Sequence, residues 1–90
     1  MTSRTTKHFR EGFLTLPEPV QRQARDAYRL FQANPYHPGL QFKQVHPVRP
    51  VYSVRIGRGY RALGVRDGDE IIWFWIGSHA DYDHLLGRLR

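Results

Sequence analysis

Between Val51 and Gly77 the chain reads VYSVRIGRGYRALGVRDGDEIIWFWIG, and this stretch leaves the rest little freedom. Two glycine-containing turns divide it into runs of strand-forming residues, which predicts an antiparallel meander. In VYSVRI the alternation puts Tyr52, Val54 and Ile56 on one face and Val51, Ser53 and Arg55 on the other. Gly57-Arg58-Gly59 supplies the positive backbone angles of a short hairpin loop. The returning YRALGVR sets Arg61, Leu63 and Val65 on one face and Tyr60, Ala62 and Gly64 on the other, so an arginine opens an otherwise apolar row. Asp67-Gly68 is a second hairpin turn. The run EIIWFWIG after it is apolar on both faces, which predicts a central strand covered on both sides.

With 90 residues and 40% hydrophobic composition, the chain is long enough for one core and is read as a single domain over 1–90. It has no cysteine, so no disulfide framework and no thiolate metal site, and a reducing cytoplasm is the expected compartment. No run approaches the roughly 18 apolar residues of a membrane span, and the start lacks the apolar core of a secretion signal, so no membrane contact is expected. Charge is more informative. The net charge is +6, and from Ala27 to Arg66 there is no acidic residue, while Arg29, Lys43, Arg49, Arg55, Arg58, Arg61 and Arg66 are all basic. A positive block of this kind on a strand hairpin points to a polyanion, and nucleic acid is the leading candidate.

Ahead of the meander, residues 1–7 are polar and carry no strand signal. Phe9, Phe13, Leu14 and Leu16 recur at helical spacing and predict a helix over 6–16, ended by Pro17. Val20, Ala24, Ala27, Tyr28 and Phe31 form the apolar stripe of a second helix over 19–33, stopped at Asn34-Pro35. Leu40, Phe42 and Val45 suggest a short strand that Pro47 and Pro50 confine to an edge. Residues 78–89 read as a closing helix capped by Ser78, with Tyr82, Leu85, Leu86 and Leu89 facing inward. The expected fold is therefore α+β: two N-terminal helices packed on a three- to four-stranded antiparallel sheet, a short C-terminal helix, and a basic concave face opposite the first two helices.

Two groups can carry chemistry. The first is the arginine row Arg55, Arg58 and Arg61 on the hairpin. A guanidinium within an apolar row, as at Arg61, is either paired or waiting for an anion. The second is Ser78-His79-Ala80-Asp81-Tyr82-Asp83-His84, where a strand end mounts His79 rigidly and Asp81 or Asp83 is near enough to orient its imidazole. That layout suits general acid-base work, although a helix cap with a structural histidine accounts for the same residues. His37, His46 and His79 match no metal-ligand spacing, and no phosphate-cradling glycine loop is present, so neither metal nor cofactor is expected.

The segment YSVRIGRGYRALGVRDGDEIIWFWIGSHADYD, following two helices, resembles the RelE/ParE superfamily of toxins from type II toxin-antitoxin modules. The hairpin pattern Y-x-[hydrophobic]-R-x-G-x-G-Y-R carries most of the likeness, and G-S-H-A-D is similar to the end of the YafQ-like branch. The resemblance implies an endoribonuclease that cuts messenger RNA, typically on the ribosome, without metal or cofactor and restrained by a cognate antitoxin protein. It implies that Arg61 contacts the scissile phosphate, that Arg55 is a basic residue beside it, and that His79 transfers a proton with Asp81 next to it. Arg58, Lys43, His46 and Arg49 are expected to bind RNA, and Tyr82 to stack a splayed base. Packing under the last helix is an equally good account of Tyr82, and His46 is a second candidate for proton transfer. The last strand carries tryptophans where RelE-like members often carry a basic residue. That departure keeps open a ParE-like toxin that poisons DNA gyrase, with a non-catalytic RNA-binding or interaction module as a further alternative.

Overall fold

In the computed structural model, which describes residues 1–89, the three runs pair as the turns demand. Strand β3 (Val51–Ile56) is antiparallel to β4 (Tyr60–Asp67), and β4 is antiparallel to β5 (Glu70–Ser78). Gly57 adopts φ +56° in the first turn and Gly68 φ +60° in the second, the left-handed region that glycine enters without a Cβ penalty. On the outer side of β3 lies the two-residue strand β2 (Lys43–Gln44), the short edge expected ahead of Pro47.

The other edge corrects the sequence reading. Residues Thr2–Thr5 form a strand, β1, parallel to β5, so the sheet has five strands in the order β1-β5-β4-β3-β2. No apolar alternation announces β1, because its hold on β5 is polar: Thr2 N–H donates to Asp69 O (2.9 Å), Thr6 N–H to Trp73 O (3.0 Å), and the Trp73 indole N–H to Ser3 Oγ (2.8 Å). Strand β5 is interior and covered on both faces, yet the middle strand is β4.

A bulge explains how β5 can be apolar on both faces. Leu63 lies opposite Trp75 and Gly64 opposite Trp73, leaving Phe74 without a partner. The extra residue reverses the alternation, so Trp73 enters the core on one side while Phe74 and Trp75 pack on the other. Gly64 makes room for this, since a Cβ there would come within 2.8 Å of the Trp73 ring and Ile71.

Helices α1 (Lys7–Leu14) and α2 (Glu18–Ala33) cover the face carrying Val54, Ile56, Ala62 and Trp73. Thr6 caps α1 by accepting from Phe9 N–H (3.1 Å), and the apolar stripe read from the sequence places Val20, Ala24 and Phe31 inside. Phe31 meets Trp73 and Phe42 edge-on at 5.4 and 5.2 Å, the arrangement their quadrupoles favour. The two helices divide the sheet between them. Helix α1 packs on β5 and α2 on β3, leaving a cavity of about 440 Å³ whose lining includes Phe9, Phe13, Ala27, Tyr28, Val54 and Ala62. Arg25 and Arg29 also line it.

Helix α3 (His79–Leu89) folds back over the opposite face, where Tyr82, Leu85 and Leu86 pack with Val51, Leu63 and Trp75. Ser78 Oγ accepts from Asp81 N–H (3.1 Å), the cap expected from the sequence. The face opposite the first two helices is therefore not an open basic surface, as the sequence suggested. Only its hairpin end, beyond α3, keeps the arginines accessible.

Candidate active site

Strand register puts Arg55 directly opposite Arg61, and Arg61 directly opposite Gly77. Both arginines share the face of Ser53 and Leu63, one row nearer the hairpin. Like charges facing each other across a strand pair repel, and a carboxylate would normally be found between them. Among the described residues none lies within ion-pair distance of Arg55, Arg58 or Arg61, whereas Arg4, Arg22 and Arg29 each have an acidic partner. The two guanidinium groups are held by backbone oxygens only: Arg55 Nε donates to Gly57 O (2.9 Å) and Arg61 Nη1 to Tyr60 O (2.8 Å). Both are half-buried, so their charge is partly desolvated and left without a counter-ion.

The start of α3 is tied to the same place. Tyr60 pairs with Ser78, and His79 N–H donates to Gly59 O at 2.7 Å, so the histidine stands beside the hairpin turn that carries Arg58. Its Nδ1 lies 3.1 Å from Asp83 Oδ2, and its ring centroid is 5.8 Å from that of Tyr82. Asp81 is not the imidazole's partner. On a helix, residues two apart point to different sides while residues four apart share one, so Asp83 faces His79 and Asp81 does not. Asp81 stays exposed in the first turn, where a negative charge favours the helix dipole.

The remaining predicted residues fall elsewhere. Tyr82 is only 7% exposed and its hydroxyl donates to Ser53 Oγ at 3.2 Å, so it fixes α3 to β3 and has no free face to offer a base while α3 is seated. His46 is structural in the same sense: Nδ1 accepts from Val48 N–H (3.1 Å) and Arg49 N–H (2.8 Å), and Nε2 lies 2.8 Å from Leu89 O. Because Nδ1 accepts, Nε2 is the donor. Lys43 is exposed opposite Ser53, and Arg49 precedes the far end of β3, whose first residue Val51 is roughly 13 Å from Arg55 at ~3.3 Å per strand residue. The structure thus gathers Arg55, Arg58, Arg61 and His79, sets Lys43 on the same face diagonal to Arg55, and leaves His46 and Arg49 apart.

One part of the site was not visible in the sequence. Around the hairpin end, an open cavity of about 510 Å³ is lined by Arg55, Arg58, Tyr60 and the turn glycines together with Gln23 of α2 and Gly39. Gln23 lies against Gly57, where a Cβ would meet its amide oxygen at 2.6 Å. Nothing local in sequence links positions 23 and 57. Only the packing of α2 on β3 joins them.

A family profile described as a ParE-like toxin domain matches residues 18–84, which include the arginine row and His79. The chain belongs to the ParE-like toxin family, within the RelE/ParE superfamily. Solved structures of similar shape agree with this fold. The toxin-antitoxin complex RelB-RelE of Methanococcus jannaschii superposes with a TM-score of 0.72 at 20% identity, over 90% of this chain and 96% of the matched one. A YoeB/ParE toxin from Agrobacterium tumefaciens gives 0.67 at 13% identity, over 88% and 99%. The isolated RelE toxin of E. coli gives 0.64 at 12% identity, over 99% and 98%. No curated protein sequence matches the chain. The α+β class expected from the sequence is thus that of the RelE-like toxin fold, with the N-terminal strand added.

Proposed function

We propose that this chain is the toxin of a toxin-antitoxin module and that it cuts messenger RNA at the hairpin end of its sheet. The observation that carries the reading is the pair Arg55 and Arg61, directly opposite each other, half-buried, without an acidic partner among the described residues, and at the same sheet end as His79. RNA cleavage by protein groups alone needs positive charge at the phosphorane, a base for the 2′-hydroxyl proton and a proton for the departing 5′ oxygen. The arginine pair supplies the first and His79 the second. The acid-free positive block from Ala27 to Arg66 brings the polyanion to the surface.

A cognate antitoxin is the second partner in this reading. Three of the similar structures are antitoxin complexes, and the cavity between α1 and α2 offers apolar lining beside Arg25 and Arg29 to an acidic amphipathic segment. The deciding experiment is mapping of RNA 5′ ends after controlled expression and in a purified translation mixture. New ends in translated messages, abolished by Arg61→Ala, are expected. Equal cleavage of naked RNA would remove the ribosome from the proposal. The one rival is the ParE-like toxin acting on DNA gyrase that the sequence resemblance left open, and a family described as ParE-like is compatible with it. Gyrase trapped on DNA with no new RNA ends would establish that rival.

A further inference from the structure

The His79 imidazole is held from three directions. Its backbone N–H is bound to Gly59 O at 2.7 Å, its ring lies against the buried Tyr82, and its Nδ1 lies 3.1 Å from Asp83 Oδ2. Nε2 has no partner among the described residues. A carboxylate is only an acceptor, so a ring nitrogen this close to it carries the proton, because two lone pairs facing each other at that distance repel. The side chains of His79 and Asp83 are 46% and 62% exposed, so the contact contributes little to stability and its consequence is which nitrogen holds the proton.

We propose that Asp83 is a positioning residue: it keeps neutral His79 protonated on Nδ1, leaving the Nε2 lone pair free to act as the base toward the 2′-hydroxyl. The proposal rests on the ribonuclease reading and assigns one role where the sequence left acid and base open. In the step, the 2′-hydroxyl proton passes to Nε2 and O2′ forms a bond to phosphorus. The P–O5′ bond breaks, its electron pair leaves with O5′, and water protonates that oxygen. The hydroxide so formed takes the proton back from the imidazolium. The products are a 2′,3′-cyclic phosphate and a 5′-hydroxyl end, with His79 returned to its starting form.

Nitrogen-15 NMR of the His79 ring tests the assignment without reference to RNA. In the neutral ring the two nitrogens are distinguishable, one bearing the proton and the other a lone pair. Wild type is expected in the Nδ1–H form, and Asp83→Ala in the Nε2–H form that free histidine prefers. Single-turnover cleavage by Asp83→Ala should fall roughly 10- to 100-fold, the usual size for losing a ligand's orienting partner, with RNA affinity unchanged. Asp83→Glu, which keeps a carboxylate on that turn, should restore the ring form and most of the rate. An Nε2–H ring in wild type, or the same ring form in Asp83→Ala, overturns the proposal. So does a lowered thermal midpoint with an unchanged rate, which marks a pair that only stabilises the helix. If the ring is Nδ1–H but wild type cuts no RNA, the ribonuclease reading and the base role fall together, while the hold of Asp83 on the ring stands.

Discussion

Arg61 and Arg66 lie on the same strand and carry the same charge, yet their surroundings ask different things of them. The Arg66 guanidinium stacks over Tyr52 at 5.4 Å and donates to Tyr36 Oη at 3.4 Å, while its Nε donates to Gly68 O at 3.1 Å. The hydrogen bond to Tyr36 raises its pKa, and stability from a raised pKa is lost only as pH climbs through the folded value, far above any assay. Arg66 is thus a satisfied structural cation. Arg61 has only a backbone oxygen and faces another arginine. Arg61→Ala should therefore slow single-turnover RNA cleavage by roughly 10²- to 10³-fold and leave the thermal midpoint level or slightly higher, since a repulsion is relieved. Arg66→Ala should do the reverse: a rate within twofold of wild type and about 0.5 kcal/mol less stability from the lost stacking. Equal effects on the rate would mean a diffuse basic surface. The unpaired position of Arg61 was legible because a guanidinium breaks an apolar alternation. The pairing of His79 with Asp83 is implicit in a helix capped by Ser78, where Asp83 stands four residues on from His79 and Asp81 only two.

At the level of elements, the meander was readable because each strand carries its own alternation and each turn its own glycine. Strand β1 was not, because TSRT has no apolar face and is recruited by bonds to a partner some 68 residues away in the chain. The seat of α3 was half readable: its apolar stripe predicted burial, but the polar lock beneath it pairs two residues that no pattern connects. Ser53 is 2% exposed and its Oγ is the acceptor for the Tyr82 hydroxyl. Tyr82→Phe leaves the Ser53 hydroxyl buried without its partner, so a cost of about 1–2 kcal/mol is expected, read as a lower denaturant midpoint at unchanged slope. Ser53→Ala in the same chain should recover most of the loss, because removing both partners leaves nothing unsatisfied. If the double variant is as weak as the sum of the singles, the contact does not hold α3. Neither substitution touches the arginine row, so cleavage by the folded fraction should be unchanged.

On the scale of the whole molecule, the charge block was plain in the sequence, but the division of labour between the two faces of the sheet was not. The apolar cavity lies on the α1 and α2 face, against Val54, Ile56, Ala62 and Trp73. The arginine row belongs to the opposite alternation, and the two surfaces meet only at the hairpin end, where Gln23, Arg55 and Arg58 border one cavity. An antitoxin segment seated between the helices therefore covers none of the row. To silence the toxin it must continue past Gln23 and bring acidic residues over the hairpin, or displace α3 from the other side. This gives a prediction about the product of the neighbouring reading frame. Truncated to the part that binds the helix cavity, it should still copurify with this chain and lose binding on Ala27→Glu, which sets a carboxylate in the apolar wall. It should nevertheless leave RNA cleavage running. The full antitoxin should stop cleavage, and its affinity should fall with added salt more steeply than the fragment's, because only the full chain pairs with the arginine row as well as with Arg25 and Arg29. A fragment that inhibits as well as the full chain would place inhibition at the helix cavity itself, and would require that occupying this cavity deform β3 and β4 from behind.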